Sequence, residues 1–174
     1  DPLADYLTRG ITAVIDPHPL FDTQWYLSQL AGHRREVEMT PLQHYLQFGW
    51  HLGLDPHPEF STTWYLTTHP DVAQAGLNPL QHFLVSGWRE RREPSPSFHL
   101  NWYLEQYPDI ADADLNPFVH YLVHGVTEGR WPGPDKDSTD IRLRRQNALS
   151  RVDNPVMPER GPDAGTQQDV HGDS

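Results

Sequence analysis

The sequence predicts an all-α fold, a solenoid-like array of short tandem helices followed by a disordered C-terminal tail. Three observations carry this expectation. The triplet Trp-Tyr-Leu recurs at residues 25–27, 64–66 and 102–104. Proline recurs at Pro2, Pro41, Pro79 and Pro117, each time with a glycine eight residues further on, at Gly10, Gly49, Gly87 and Gly125. Every Trp, Tyr and Phe lies before residue 135. A period of 38–39 residues marks a repeat architecture. Phe60–Pro96 laid on Phe98–Pro134 without gaps gives 19 identities in 37 positions. With 17 Pro and 12 Gly in 174 residues, long helices are not expected.

Each unit reads as two short helices. The first begins after Phe21-Asp22 or Phe60-Ser61, where Asp22 and Ser61 act as N-caps. Its Trp-Tyr-Leu spreads apolar groups around the helix, which then requires burial on several sides. It runs to the region of Leu30, His69 or Tyr107. Pro70-Asp71 and Pro108-Asp109 break it, and one further helical turn is expected over Val72–Ala75 and Ile110–Ala113.

The second helix starts at an N-cap former, Asp1, Thr40, Asn78 or Asn116, followed by Pro at N1. Its glycine is expected to end it in the left-handed conformation. Trp50, Trp88 or Val126 would then pack back on Tyr45, Phe83 or Tyr121 as in a Schellman motif. Helices of about eight residues are marginal alone, so packing between units must hold them. Asp16-Pro17-His18-Pro19, Asp55-Pro56-His57-Pro58 and Pro94-Ser95-Pro96 read as extended joints.

Residues 1–134 thus form a half unit and three full units, and 135–174 a tail or linker. Residues 138–152 carry one amphipathic face, Ile141, Ala148, Leu149 and Val152, and so a possible helix. In the half unit, Leu3, Tyr6 and Leu7 lack the Trp-Tyr-Leu helix they would pack on. Further repeats or another domain upstream are therefore expected.

The pattern Phe60-x-x-x-Trp64-Tyr65-Leu66, Pro70-Asp71-Val72-Ala73, Asn78-Pro79-Leu80, His82-Phe83-Leu84 and Gly87-Trp88 resembles a known bacterial tandem repeat. That repeat accompanies glycosyltransferase domains of surface-polysaccharide assembly and also occurs in some large secreted calcium-binding repeat proteins. The Asp-Pro-His-Pro joints look more like the glycosyltransferase-associated form. The resemblance covers residues 1–134 and implies an accessory module without catalytic residues, in a cytoplasmic setting. The chain has no Gly-Gly-x-Gly-x-Asp nonapeptide, and Gly32–Met39 replaces the Pro-Asp-Val-Ala segment in the first unit.

Composition excludes several functions. A net charge of −11 argues against nucleic acid and anionic membrane surfaces as partners. With no cysteine there is no disulfide, thiolate metal site or thiol nucleophile. No apolar run is long enough to span a membrane.

Eleven histidines raise the question of a metal. His44, His82 and His120 occupy equivalent positions, but no unit clusters them, and only His120 and His124 stand four apart on one helix. They are expected to bond a neighbouring unit's backbone or to lie near the surface, with no metal and no cofactor. His18 and His57 read as turn residues. Asp71 and Asp109 are expected to cap the turn that follows. Glu90 and Glu128 are expected to pair with Arg92 and Arg130. The tryptophans are expected in the core except Trp131, in the last joint. The candidate ligand surface is Trp131, Arg89, Arg91, Arg92, His82, His120 and His124, facing a protein partner or a polysaccharide. The expected function is a non-catalytic scaffold or recognition surface. A carbohydrate-binding module and a glycosyltransferase fragment are the alternatives.

Overall fold

The computed structural model describes residues 16–30, 39–135 and Gln146. The half unit at 1–15, the Gly32–Glu38 stretch of the first unit and the 138–152 helix as a whole lie outside the described residues. So does the tail beyond Asp135, apart from Gln146. Among the described residues the fold is helical, with eight α-helices and no strand. They are α1 (Thr23–Gln29), α2 (Pro41–Gln47), α3 (Thr62–Thr68), α4 (Pro70–Gln74), α5 (Pro79–His82), α6 (Leu100–Gln106), α7 (Pro108–Asp112) and α8 (Pro117–His120). A 3₁₀ turn, Gly49–Leu52, follows α2. Single π-helical turns, Phe83–Gly87 and Tyr121–Gly125, extend α5 and α8.

The helix starts follow from local chemistry. Asp22 Oδ1 accepts from the Trp25 amide at 2.7 Å, and Ser61 Oγ from the Trp64 amide at 3.4 Å. Thr40 and Gln43 form a full capping box, while Asn78 and Asn116 cap α5 and α8 through their side-chain oxygens. His99, at the same position before α6, makes no side-chain cap bond. Helices α1, α3 and α6 end at Leu30, His69 and Tyr107, where the sequence places their ends. The turns after Pro70 and Pro108 are helical from the proline itself.

The glycines are a correction. Gly49, Gly87 and Gly125 are not left-handed stops, since among the described residues the glycines with positive φ are Gly53, Gly76 and Gly129. The expected bonds from Trp88 N to Phe83 O (3.2 Å) and from Val126 N to Tyr121 O (3.0 Å) do form. They form as wide π turns in a helix that continues. The stop comes four residues later, at Gly53, Arg91 and Gly129. There Leu54, Arg92 and Arg130 donate back to the carbonyls of Gly49, Gly87 and Gly125. A second such ending stands at Gly76 and Asp114, where Leu77 and Leu115 donate to Val72 and Ile110.

The repeat glycines serve a different contact. A Cβ on Gly87 would collide with the Tyr65 hydroxyl, one on Gly49 with that of Tyr26, and one on Gly125 would lie 2.6 Å from that of Tyr103. The tyrosine of each Trp-Tyr-Leu triplet is fully buried, with its hydroxyl against the second helix of its own unit. All six tryptophans are half-buried: Trp50 and Trp88 pack against the core from its edge, whereas Trp25, Trp64 and Trp102 are not part of the buried core expected for them. The tyrosine is the side chain that points inward, so the indole beside it lies at the helix flank.

Taking units to start at Phe21, Phe60 and Phe98, the core runs from one to the next. Phe60 packs on Tyr65 and Phe83, and Phe83 meets Phe118 of the following unit with ring centroids 5.8 Å apart. Each such ring contributes roughly 1.5–3 kcal/mol by its burial. Between the first two units, the Tyr45 hydroxyl meets Thr62 Oγ1 at 3.1 Å, and Thr62 Oγ1 donates to the Leu54 carbonyl. Between the next two, the equivalent residues Phe83 and Leu100 have both lost their hydroxyls. Each unit is closed by one backbone bond from its N-cap amide to the joint that follows. These run from Asp22 to Pro56 (2.9 Å), Ser61 to Pro94 (3.2 Å) and His99 to Pro132 (2.9 Å).

Replacing Gly87 by Ala should lower stability in urea unfolding by about 1–3 kcal/mol through overpacking. The loss should shrink when Gly87→Ala is made in a Tyr65→Phe background, where the colliding oxygen is gone. An equal loss in both backgrounds would show that the hydroxyl is not the constraint.

Candidate functional site

The repeat-equivalent histidines are partners of the buried tyrosines. Tyr26, Tyr65 and Tyr103 hydroxyls lie 2.6, 2.9 and 3.0 Å from Nδ1 of His44, His82 and His120. This replaces the expected bond to a neighbouring unit's backbone: the partner is a side chain of the same unit. Burial pushes the pKa of each tyrosine well above its ordinary value, so the phenol keeps its proton. In the tautomer whose Nδ1 accepts from that phenol, the ring proton sits on Nε2. For His120 that nitrogen faces the Glu128 carboxylate at 3.9 Å. For His82 it faces Ser86 Oγ at 3.4 Å. His124 is exposed and packs against the His120 ring at 5.6 Å between centroids. Burial lowers the His120 pKa, with the Arg130 charge adding to the effect.

The joint histidines also have a role the sequence does not disclose. His18 Nδ1 accepts from the Leu20 amide at 3.0 Å, and His57 Nδ1 from the Glu59 amide at 3.1 Å. They fix the tight turn that leads into Phe21 and Phe60. Asp16 and Asp55 of the same joints accept from the Thr23 and Thr62 amides at 2.7 and 2.8 Å.

The arginines do not form one basic patch. Arg92 grips Asp71 through both terminal nitrogens at 2.7 Å and Glu90 through Nε at 2.6 Å. Arg130 repeats this with Asp109 (3.0 and 2.8 Å) and Glu128 (2.6 Å), and lies over the Tyr107 ring. The Glu–Arg pairs follow the sequence expectation. The longer-range aspartates come from α4 and α7 and close the two later units. In the first unit Leu54 stands in the arginine's place and Gly32 in the aspartate's, so this clasp is missing. Arg89 stacks on Trp88 at 4.1 Å and reaches Asp114 at 3.3 Å. Arg91 reaches Asn101 at 3.4 Å. Both pairs join the second unit to the third. Trp131 is held through its amide, which donates to the Tyr107 hydroxyl at 2.9 Å.

The seven candidate residues are spread over two units, His82, Arg89, Arg91 and Arg92 in the second and His120, His124 and Trp131 in the third. Among the described residues no group of three or more His, Asp or Glu is arranged to hold a metal ion. No helix there is long and apolar enough to cross a membrane. What sequence reasoning missed, the Tyr–His and Asp–Arg contacts, left a signal: each pair occurs in the units that carry both partners. No family model, no curated protein and no solved structure matches this chain.

The Arg92 hydrogen bonds hold the Asp71 carboxyl below its usual 3.8, at about 2. The unfolded state then binds the proton more tightly than the folded one. The stabilising contribution is complete above about pH 4 and is lost as the pH falls towards 2. Thermal melts across that window should show a shallower fall for Asp71→Asn than for the parent chain. His120 has the same sign at higher pH. Its depressed pKa means that acidification below its usual 6.5 protonates the unfolded state first and costs stability. Its ring resonances should titrate at lower pH than those of a free histidine.

Proposed function

We propose that this chain is a non-catalytic helical repeat module that serves as a scaffold or recognition surface. The observation that carries the reading is where its polar groups are spent. In register, the histidines pair with buried tyrosines, the arginines with aspartates and glutamates, and the caps with helix amides. Groups so engaged hold a shape. The resemblance stated above supports placing the module in a bacterial surface-polysaccharide glycosyltransferase, with the protein itself or its glycan as the partner.

A second reading, carbohydrate binding by aromatic side chains, is favoured by one observation. All six tryptophans keep part of their surface in solvent, and such faces stack on sugar rings.

Tryptophan emission during titration with bacterial surface polysaccharide separates the two. The scaffold reading expects no saturable change, whereas a saturable shift supports the carbohydrate reading. Sugar-transfer turnover by this chain with a nucleotide-sugar donor would overturn both.

A further inference from the structure

The charged residues of this chain leave the second helix of each unit bare. The stretches 39–54, 77–88 and 115–127 hold α2, α5 and α8 with the turns that extend them, and they contain no Lys, Arg, Asp or Glu. All 13 basic and 24 acidic residues lie elsewhere. Among the described residues, the large apolar side chains left in solvent are Phe48, Leu52, Leu77, Val85, Leu115 and Val123. Every one of them falls in these same stretches. Val85 is 75% exposed and Leu52 69%.

The repeat places these residues together. Gln81 and Val85 in the second unit, and Val119 and Val123 in the third, stand four apart, so each pair lies in a row along one helix face. Leu77 and Leu115 stand just ahead of the N-caps of the same helices. The other side of each helix is spent on the core, where Leu80, Phe83, Phe118 and Tyr121 are buried. The Phe83 ring meets the Phe118 ring in that core, so the two outer rows are neighbours. In the first unit Gln47, Phe48 and Leu52 are exposed on the same segment of the repeat. The histidines of these helices bring no charge between the rows, since His44, His82 and His120 are bound to the buried tyrosines.

We propose that this uncharged apolar face joins two copies of the chain about a two-fold axis. Apolar side chains gathered on one face, rather than scattered singly, mark a contact surface. Charge decides which partner it meets. A two-fold contact sets a surface against its own copy, so a surface rich in one sign repels itself. At a net charge of −11 two copies repel each other, and the repulsion is least where they approach through the face that carries no charge. A partner of another kind would be steered to the acidic surface, where complementary charge speeds and selects association. The bare face offers no such steering, and an apolar surface is the one that is complementary to itself.

The test is sedimentation equilibrium of the full chain at about pH 8, above the usual range of histidine titration, over about 1 µM to 1 mM. The mass should rise with concentration from 20.0 kDa towards twice that value. Added salt should tighten the association by screening the mutual repulsion. Val85→Glu and Val123→Glu, both at exposed positions, should each weaken it by about tenfold or more, because each places a like charge in both halves of the contact. Gln106→Glu, exposed on the first helix of the third unit, should leave it unchanged. Circular dichroism melts of the three variants check that each is folded. A chain that stays monomeric throughout the range overturns the proposal and assigns the face to some other occupant. So does an association that salt weakens, that grows past two copies, or that the three substitutions affect alike.

Discussion

A phenol hydroxyl seated against a bare Cα sets how closely the two main helices of every unit approach. The oxygen occupies the place a Cβ would take, so the second helix must present glycine there. The histidine one turn or so earlier supplies the hydrogen-bond partner, which spares the core a stranded hydroxyl worth about 1–3 kcal/mol. The backbone around this contact is not constant. Gly49 sits in a 3₁₀ turn, whereas Gly87 and Gly125 close π turns. The helix pitch varies and the contact does not, so the contact is the constraint and the pitch adapts to it.

Around that contact, each unit is completed by bonds of different reach. Capping bonds span three residues, Tyr–His bonds 17 or 18, and Asp–Arg clasps 21. The clasps are solvent-exposed on the aspartate side and contribute little as isolated ion pairs. Their value lies in geometry: two parallel bonds fix the short helix α4 or α7 against the loop that ends the unit.

The helix starts, the ends of the Trp-Tyr-Leu helices and the extra turns after Pro70 and Pro108 were legible because each is decided within four residues. The role of Gly87 was not, because it depends on an oxygen 22 residues away. A glycine after a short helix looks the same whether it frees the backbone or clears space for a neighbour. The histidines were misjudged for a related reason. Their partner is a tyrosine, and an aromatic in a repeat is read first as apolar bulk, with its hydroxyl ignored. The triplet tryptophans Trp25, Trp64 and Trp102 went the other way, since their repeat positions assigned them to the core that the neighbouring tyrosines occupy.

One detail reaches beyond this chain. The amide that opens a joint is satisfied by the carboxamide of Gln29 at Asp55 and by the phenol of Tyr107 at Trp131. These acceptors differ in chemistry, in size and by one position in register, yet they meet the same need. What is inherited from unit to unit is a set of backbone valences that must be filled, and the letters that fill them are free to drift. Units of this kind will be undercounted wherever they are searched for by spelling. They become countable when each position is scored for the donor, acceptor or empty space it has to provide.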